Sequence, residues 1–527
     1  MKKVNSSCLI WPETKMKKYF LESAVFLCGS ATMMIELTGS RVLAPHIGTS
    51  IMVWTSLIGV ILGFLSLGYA WGGKIADKRP ERALLSKLIL FVAIWVALSS
   101  ALTDLVVMFV SQIAPDLRIT AVISTILIFG FPSVLLGMVS PFAARIRNTQ
   151  VQHTGATVGM LYAISTTGSI FGTFLAGFYL VSYFSNVTIF IIIACLLIVA
   201  SALVFVESGA GKKALLVAVL ILMAGQSQGF AQSFLGSDFV DVNTPYSRVW
   251  IYDIPNVNPR NSIRMMQIND ETSSAQYLFR DELAAPYCRF YRLAAGLKPS
   301  LKKALMIGGG AYTFPMDFIR KNPEARMDVV EIDPKLKELA KKYFRLKDDP
   351  RLRIFHEDAR TYLNRTDEKY DVIFVDTFRS FSPPFQLTTR ECVGRMHAVL
   401  NEDGMVMTNI ISSISGEKGQ ILRAYLKTIK LYFPYLYVLK VHNDKRADFP
   451  QNLMVMAFKK RPKLSIGDVE LNNYLQQIWI EDIPEDRPVL RDDFAPVDRY
   501  EIPVMKDMLK FRRNEMMYRI KRRVYAV

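Results

Sequence analysis

Hydrophobic and polar positions divide the chain near residue 235. Before that point, apolar stretches recur at 19–40, 51–73, 85–111, 119–143, 157–182, 187–206 and 213–231. Each approaches the ~20 residues that a helix needs to cross the hydrocarbon of a bilayer. They predict a multi-span α-helical membrane bundle over 1–235 with six or seven segments. The seventh is the weakest, because its apolar part, Ala214 to Ala224, runs directly into Gly225-Gln226-Ser227-Gln228. Beyond it the pattern shortens. Residues 247–254 and 262–269 read as β-rich runs around a Pro/Asn loop, which predicts a small β-hairpin region over 240–275. From 276 to 470, strands at 303–307, 327–331, 352–355, 371–375 and 405–410 follow a helical stretch at 280–296 and alternate with others at 314–321, 334–344 and 388–400. Alternation at this spacing predicts an α/β domain built on a parallel sheet. Late strands at 434–441 and 452–458 would close it as an antiparallel pair, and 471–527 forms a basic C-terminal extension.

Composition sharpens the division. The chain is 51% hydrophobic yet 21% charged, which fits two halves of different character better than one uniform class. Its net charge of +17 suits anionic lipid headgroups. Lys510, Arg512, Arg513, Arg519, Lys521, Arg522 and Arg523 in the tail fit that partner. No nucleic-acid-binding module accompanies the charge, so nucleic acid is not an expected partner. Cys8, Cys28, Cys195, Cys288 and Cys392 are scattered, and the five histidines do not cluster, so no metal site is expected. Basic residues mark alternate loops: Lys15, Lys17 and Lys18, then Lys74, Lys78 and Arg79, then Arg145 and Arg147, then Lys212 and Lys213. The positive-inside rule then places the N-terminus in the cytoplasm. Six spans would put the C-terminal half there too, and a seventh would put it outside. Gly168 and Gly172 form a GxxxG pair suited to close helix packing. Glu36 with Arg41 reads either as a structural ion pair near the membrane surface or as a substrate contact.

Candidate chemistry lies at the carboxyl ends of the predicted parallel strands, where open α/β sheets bind ligands. The first strand delivers Gly308, Gly309 and Gly310, which permit close backbone approach. The second ends in Glu331, placed to accept hydrogen bonds from ribose hydroxyls. The third leads to Glu357-Asp358-Ala359, where a carboxylate can accept from an adenine amino group and a backbone N–H can meet a ring nitrogen. The fourth ends at Asp376. One glycine triplet is a weak signal, whereas four suitable strand ends in order are a strong one.

IGGG, VEID, EDAR and the VD at 375–376 match, in order and spacing, the spermidine synthase (polyamine aminopropyltransferase) family, which 245–460 resembles. The membrane half is similar to the bundle fused to such domains in bacterial membrane homologues. The resemblance implies a Rossmann-like, class I methyltransferase fold and S-adenosylmethionine or its decarboxylated form as substrate. It implies that Glu331 holds the ribose and that Asp358 and Ala359 hold the adenine. It places Asp376 at the reacting centre, with Tyr287 lining the amine site. It also implies a bacterial inner-membrane protein and leaves homo-oligomerisation open, while loop charge and a cofactor supplied from the cytoplasm favour a catalytic domain on that side and a seventh segment that does not cross.

Three positions depart from the family pattern. Acids that would serve a cationic diamine are replaced by Ala311 after the glycines and by Arg379 in the loop after Asp376. A further acid after the tyrosine is replaced by Arg289. Arginines repel a polyamine and suit a carboxylate, such as the one that S-adenosylmethionine retains. Three functions follow. The first is an alkyl (aminopropyl-type) transferase acting on an amine, with Asp376 and Tyr287 as catalytic residues. The second is a lyase or cyclase that releases methylthioadenosine without an acceptor. The third is a transporter or sensor with a regulatory nucleoside site.

Overall fold

The computed structural model describes residues 13–47, 51–114, 116–147, 154–205, 239–269, 271–377 and 383–506. Backbone contacts divide the chain into two units, Met1–Phe234 and Leu235–Val527.

In the first unit, six helices among the described residues are long and apolar enough to cross a membrane. They cover Tyr19–Ala44, Ile51–Lys78, Arg82–Ser99, Arg118–Arg147, Gly155–Leu180 and Asn186–Val204. These coincide with the first six stretches expected from the sequence. The seventh, 213–231, and the basic tail at 510–523 lie outside the described residues.

The bundle is assembled in pairs. α1 (Glu13–Ile47) packs on α6 (Thr154–Phe174), and α2 (Ile51–Lys78) packs on α5 (Phe131–Arg147). α3 (Arg82–Ile113) packs on the helix Asn186–Val204. α4 (Leu117–Thr125) runs into α5 through a π-turn at Ile126–Gly130, where one extra residue widens the helix. The α1–α6 seam is made of small residues. A Cβ on Gly168 would stand 2.1 Å from the Phe26 carbonyl oxygen, and one on Gly172 2.3 Å from that of Ser30. The Ser30 hydroxyl donates to the Gly168 carbonyl at 2.8 Å, a bond open only to backbones this close. Of the Glu36–Arg41 couple singled out in the sequence, Arg41 donates to the Val181 carbonyl at 2.6 Å.

The second unit carries two sheets. The first is antiparallel, in the order β1 (Val240–Asn243), β2 (Arg248–Ile254), β3 (Ile263–Ile268) and β4 (Glu271–Tyr277). The expected hairpin is its β2–β3 pair, but the region is a four-stranded sheet. β1 is too short, and β4 (ETSSAQY) too polar, to give an alternating apolar signal. The expected helix over 280–296 is two short helices, Pro286–Phe290 and Leu293–Leu297, and Pro286, suited to the first position of a helix, opens the first of them.

The second sheet comprises β5 (Lys303–Ile307), β6 (Arg326–Val330), β7 (Leu352–Phe355), β8 (Tyr370–Val375), β9 (Leu400–Ser412), β10 (Tyr435–Lys440) and β11 (Gln451–Phe458). Their spatial order is β10-β11-β9-β8-β5-β6-β7. β9, β8, β5, β6 and β7 pair in parallel, and β11 pairs antiparallel with both β9 and β10. β5 and β8 are buried along their whole length, as strands covered by helices on both faces must be. β5 neighbours β6 on one side and β8 on the other, so the chain reverses its direction of travel across the sheet there. Such a reversal opens a crevice at the carboxyl ends of the two strands.

Candidate active site

Gly308 leaves β5 and Asp376 leaves β8, side by side at that crevice. The Asp376 amide donates to the Ile307 carbonyl at 2.9 Å, continuing the sheet one residue beyond the strand. Gly308 holds φ at +92°, and a Cβ there would stand 2.2 Å from the Asp376 carbonyl oxygen. Only glycine satisfies both the dihedral and the approach. Gly310 also has a positive φ, +52°, and a Cβ there would stand 2.7 Å from the Ser274 hydroxyl and 3.0 Å from that of Ser273, both of β4. The cleft therefore lies between the glycine loop and the small antiparallel sheet. Val249, Ile251 and Met266 of that sheet share a core with Leu336, Leu339 and Phe344.

Glu331, one residue past β6, is only 7% exposed. Its Oε2 accepts from the Gly309 and Gly310 amides at 2.8 and 3.3 Å, and its Oε1 accepts from the Asp333 amide at 3.0 Å. Burial raises its pKa, against the opposing pull of these three amides. A carboxylate offers about four acceptor positions, so three amides leave about one for a ligand hydroxyl. Beside it stands the Tyr312 hydroxyl, buried without a hydrogen-bond partner and facing the Glu331 and Asp333 carboxylates. Tyr312 itself is held at φ +57°, a costly conformation for a residue with a side chain. An orphaned buried hydroxyl beside a nearly saturated carboxylate fits a ligand that carries vicinal hydroxyls, as a ribose does.

The next strand end is built from helix-capping chemistry. Asp358 caps the helix Ala359–Arg365 by accepting from the Thr361 amide at 3.1 Å, and Ala359 is buried at its first position. Both stand at the end of β7, outside the lining of the cleft around Asp376.

Asp376 faces the cleft on one side and is packed by protein on the others. Burial pushes its pKa up to about 6, although Asn409 and Tyr287 both stabilise its charged form. Asn409 Nδ2 donates to Asp376 Oδ1 at 3.1 Å, and Asn452 Nδ2 donates to Asn409 Oδ1 at 3.0 Å. The two amides are thus locked in one orientation, with a donor aimed at the acid. Tyr287 lies against Asp376, with its hydroxyl 3.4 Å from the Ser273 carbonyl. Its own pKa is raised well above the tyrosine range by burial and by the Asp376 charge, so it stays a neutral donor. Phe314 lines the cleft and packs on Phe374 of β8 at 4.9 Å between ring centroids.

The cleft thus brings together Gly308, Gly309, Gly310, Tyr287 and Asp376, with Glu331 bracing the glycine loop. Arg289 is not brought in. Its Nε donates to the Leu283 carbonyl at 3.0 Å, on the opposite side of its short helix from Tyr287's cleft-facing ring. Arg379 lies outside the described residues. Ala311 is fully buried in the apolar core beneath the small sheet, so no side chain at that position meets the cleft. Residues missed by sequence reasoning also line it: Glu271, Thr272, Ser273 and Ser274 from β4, Asn409 from β9 and Asn452 from β11. For Asn409 a signal existed, since it lies near the end of the predicted strand 405–410. The polar β4 offered none.

The strand order and this cleft define a Rossmann-like fold of spermidine-synthase type with an acid at its topological switch point. Residues 291–444 match the spermine/spermidine synthase domain. The chain is 28% identical over 148 residues to a polyamine aminopropyltransferase of Clostridium beijerinckii, a match that spans 27% of this chain and about half (52%) of that protein. It is 27% identical to the polyamine aminopropyltransferase of Vibrio vulnificus, over 40% of this chain and 74% of that protein. It is 24% identical to polyamine aminopropyltransferase 2 of Aquifex aeolicus, over 80% of this chain and 85% of that protein. A match of that extent cannot fit within Leu235–Val527 and takes in much of the helical unit as well. Among solved structures, a probable spermidine synthase from Corynebacterium glutamicum is similar at 23% identity, covering 40% of this chain and 77% of that one, with a TM-score of 0.37. The C-terminal unit carries a spermine/spermidine synthase domain, and the chain is a homologue of the polyamine aminopropyltransferases.

Proposed function

We propose that this protein is a membrane-bound alkyl transferase that moves an aminopropyl-type group from a sulfonium nucleoside to an amine. The nucleoside is decarboxylated S-adenosylmethionine or S-adenosylmethionine itself. The observation that carries the reading is Asp376: an acid with its pKa raised to about 6, oriented by Asn409 and Tyr287, beside the Gly308 loop. An ammonium is no nucleophile, so the acceptor must lose a proton before or as it attacks. A carboxylate made more basic by burial, and held by two neutral donors, can take that proton.

The reaction balances without a further reactant. The amine nitrogen forms a bond to the side-chain methylene carbon next to sulfur, and that carbon–sulfur bond breaks. Its electron pair neutralises the sulfonium, and methylthioadenosine leaves. The proton released by the attacking nitrogen passes to Asp376. Sulfonium is already a strong leaving group, so the site chiefly aligns donor and acceptor. With Arg289 outside the cleft, the carboxylate-bearing donor loses one of the two residues that favoured it.

Six apolar helices, with large side chains such as Phe174 and Phe178 facing outward, support membrane insertion. With the N-terminus inside by loop charge, we place the C-terminal unit in the cytoplasm and the bundle in a bacterial inner membrane. The test of the activity is an incubation of the purified protein with either nucleoside, with and without 1,4-diaminobutane, with products followed by mass spectrometry. An amine-dependent alkylated product is expected. Methylthioadenosine released at the same rate without amine would replace the transferase by a lyase or cyclase. Nucleoside binding without turnover would leave a regulatory site.

A further inference from the structure

The polar chain at Asp376 continues into the antiparallel edge of the sheet. β11 runs against β9, so its first residues lie beside the carboxyl end of β9, where the cleft opens. Asn409 pairs with Met454, and Ile411 with Asn452, which makes the two asparagines diagonal neighbours on one face. Both line the cleft, and Asn409 is only 3% exposed. An amide carries a donor and an acceptor on one carbon, so turning it over exchanges them. In the order seen here, Asn452 Nδ2 donates to Asn409 Oδ1 and Asn409 Nδ2 donates to Asp376 Oδ1, which suits an ionised acid. With both amides turned over, Asn409 Nδ2 would donate to Asn452 Oδ1 and Asn409 Oδ1 would face Asp376, which suits the protonated acid. Among the described residues, the titratable side chains acting at Asp376 are Tyr287, Cys288 and Tyr291, each kept neutral by burial and by the Asp376 charge. Glu271 of β4 lines the same cleft. None of the four is a cation, so the amide pair and Tyr287 are left to hold the charge.

We infer that Asn452 is a positioning residue of the transfer: it holds the Asn409 amide with its N–H toward Asp376 while the acid is ionised, and turns over with it once the acid is protonated. The role rests on the transferase reading above. No proton passes along the chain. The one released by the attacking nitrogen stays on Asp376, and the two amides keep their hydrogens and only rotate. Asn452 acts on the acid through Asn409, so it should set where Asp376 titrates more than how tightly the nucleoside binds.

The test is the pH profile of kcat/KM for the amine-dependent product, measured on the purified full-length protein and on Asn452→Leu and Asn452→Asp. Leucine leaves the Asn409 amide free to present either face, so the acid limb should move up by about one pH unit, the worth of one charge-assisted hydrogen bond. An ionised aspartate only accepts, so it holds Asn409 Nδ2 and turns Oδ1 toward Asp376, and the limb should move further than with leucine. In an Asn409→Leu background that extra movement should vanish, because the chain is cut. A movement of the same size there would be direct repulsion between the two acids and would overturn the inference. Methylthioadenosine binding, measured first, reports that each variant is folded. Asn452→Asp keeps the shape of the side chain and carries the comparison should Asn452→Leu fail that check. A residue that only packs would lower turnover by one factor at every pH. An unmoved limb in the folded variants would therefore overturn the inference while leaving the transferase intact. Wild type with no amine-dependent product, or with no acid limb, would overturn Asp376 as the base and the inference with it.

Discussion

Asp376 is pulled two ways by its surroundings. Protein packed around it disfavours the charge, while the Asn409 amide and Tyr287 favour it, and desolvation prevails to set a pKa of about 6. The sign of the consequence follows from the unfolded value of 3.8. The folded state binds the proton more tightly, so stability is greatest below the unfolded value and is lost as pH rises through about 6. Activity runs the other way, since only the ionised form accepts a proton. kcat/KM is therefore expected to rise along an acid limb near pH 6. Asp376→Asn should remove that limb and lower kcat by about 10²- to 10⁴-fold. The same variant should gain thermal stability over wild type at pH 8 but not at pH 4, because it no longer ionises in a desolvated site. A pH–rate profile and melting curves at the two pH values check both halves. Similar melting differences at both values would show that the Asp376 charge carries no such cost.

Among elements, β4 and the α1–α6 pair show how differently sequence pattern reports on structure. The serines of β4 give no alternation, yet Ser274 Oγ accepts from the Ala311 amide at 3.0 Å and so pins the glycine loop to the small sheet. By contrast, Gly168 and Gly172 announce close packing directly, and the helices do meet there. Gly168→Ala would drive a methyl group into the Phe26 carbonyl and force α1 and α6 apart, at a cost of about 1–3 kcal/mol. Gly159→Ala, on the same helix with nothing within 4 Å of its Cβ, should be neutral or slightly stabilising. Thermal melts of the two variants in detergent should separate them, and equal melting temperatures would mean the seam is loose. The Arg289 part of the arginine reading meets a helix geometry at this scale. Arg289 sits two residues from Tyr287, and on a helix two residues is a little over half a turn, so the two side chains leave on different faces.

At the scale of the whole molecule, the proposed orientation rests on an even number of spans: six crossings would return the chain to the side on which it began, and the positive-inside rule makes that side the cytoplasm. Protease added to inverted inner-membrane vesicles should digest the C-terminal unit, and right-side-out vesicles should protect it. The opposite pattern would mean that the segment at 213–231 crosses as a seventh span.

The sequence alone determined the two-unit plan, six helices long and apolar enough to cross a membrane, and the strand ends at Gly308, Glu331, Asp358 and Asp376. These signals are local: apolar run length, strand–helix alternation and short motifs at fixed offsets. Tertiary structure decided what meets what. It brought Asn409 onto Asp376 and Asn452 onto Asn409, aimed the Arg289 guanidinium at the Leu283 carbonyl, and sealed Ala311 in a core. The two amide contacts join residues 33 and 43 positions apart, between elements whose order in the sheet is not their order in the chain. No local period encodes such neighbours, because the packing of whole elements settles them.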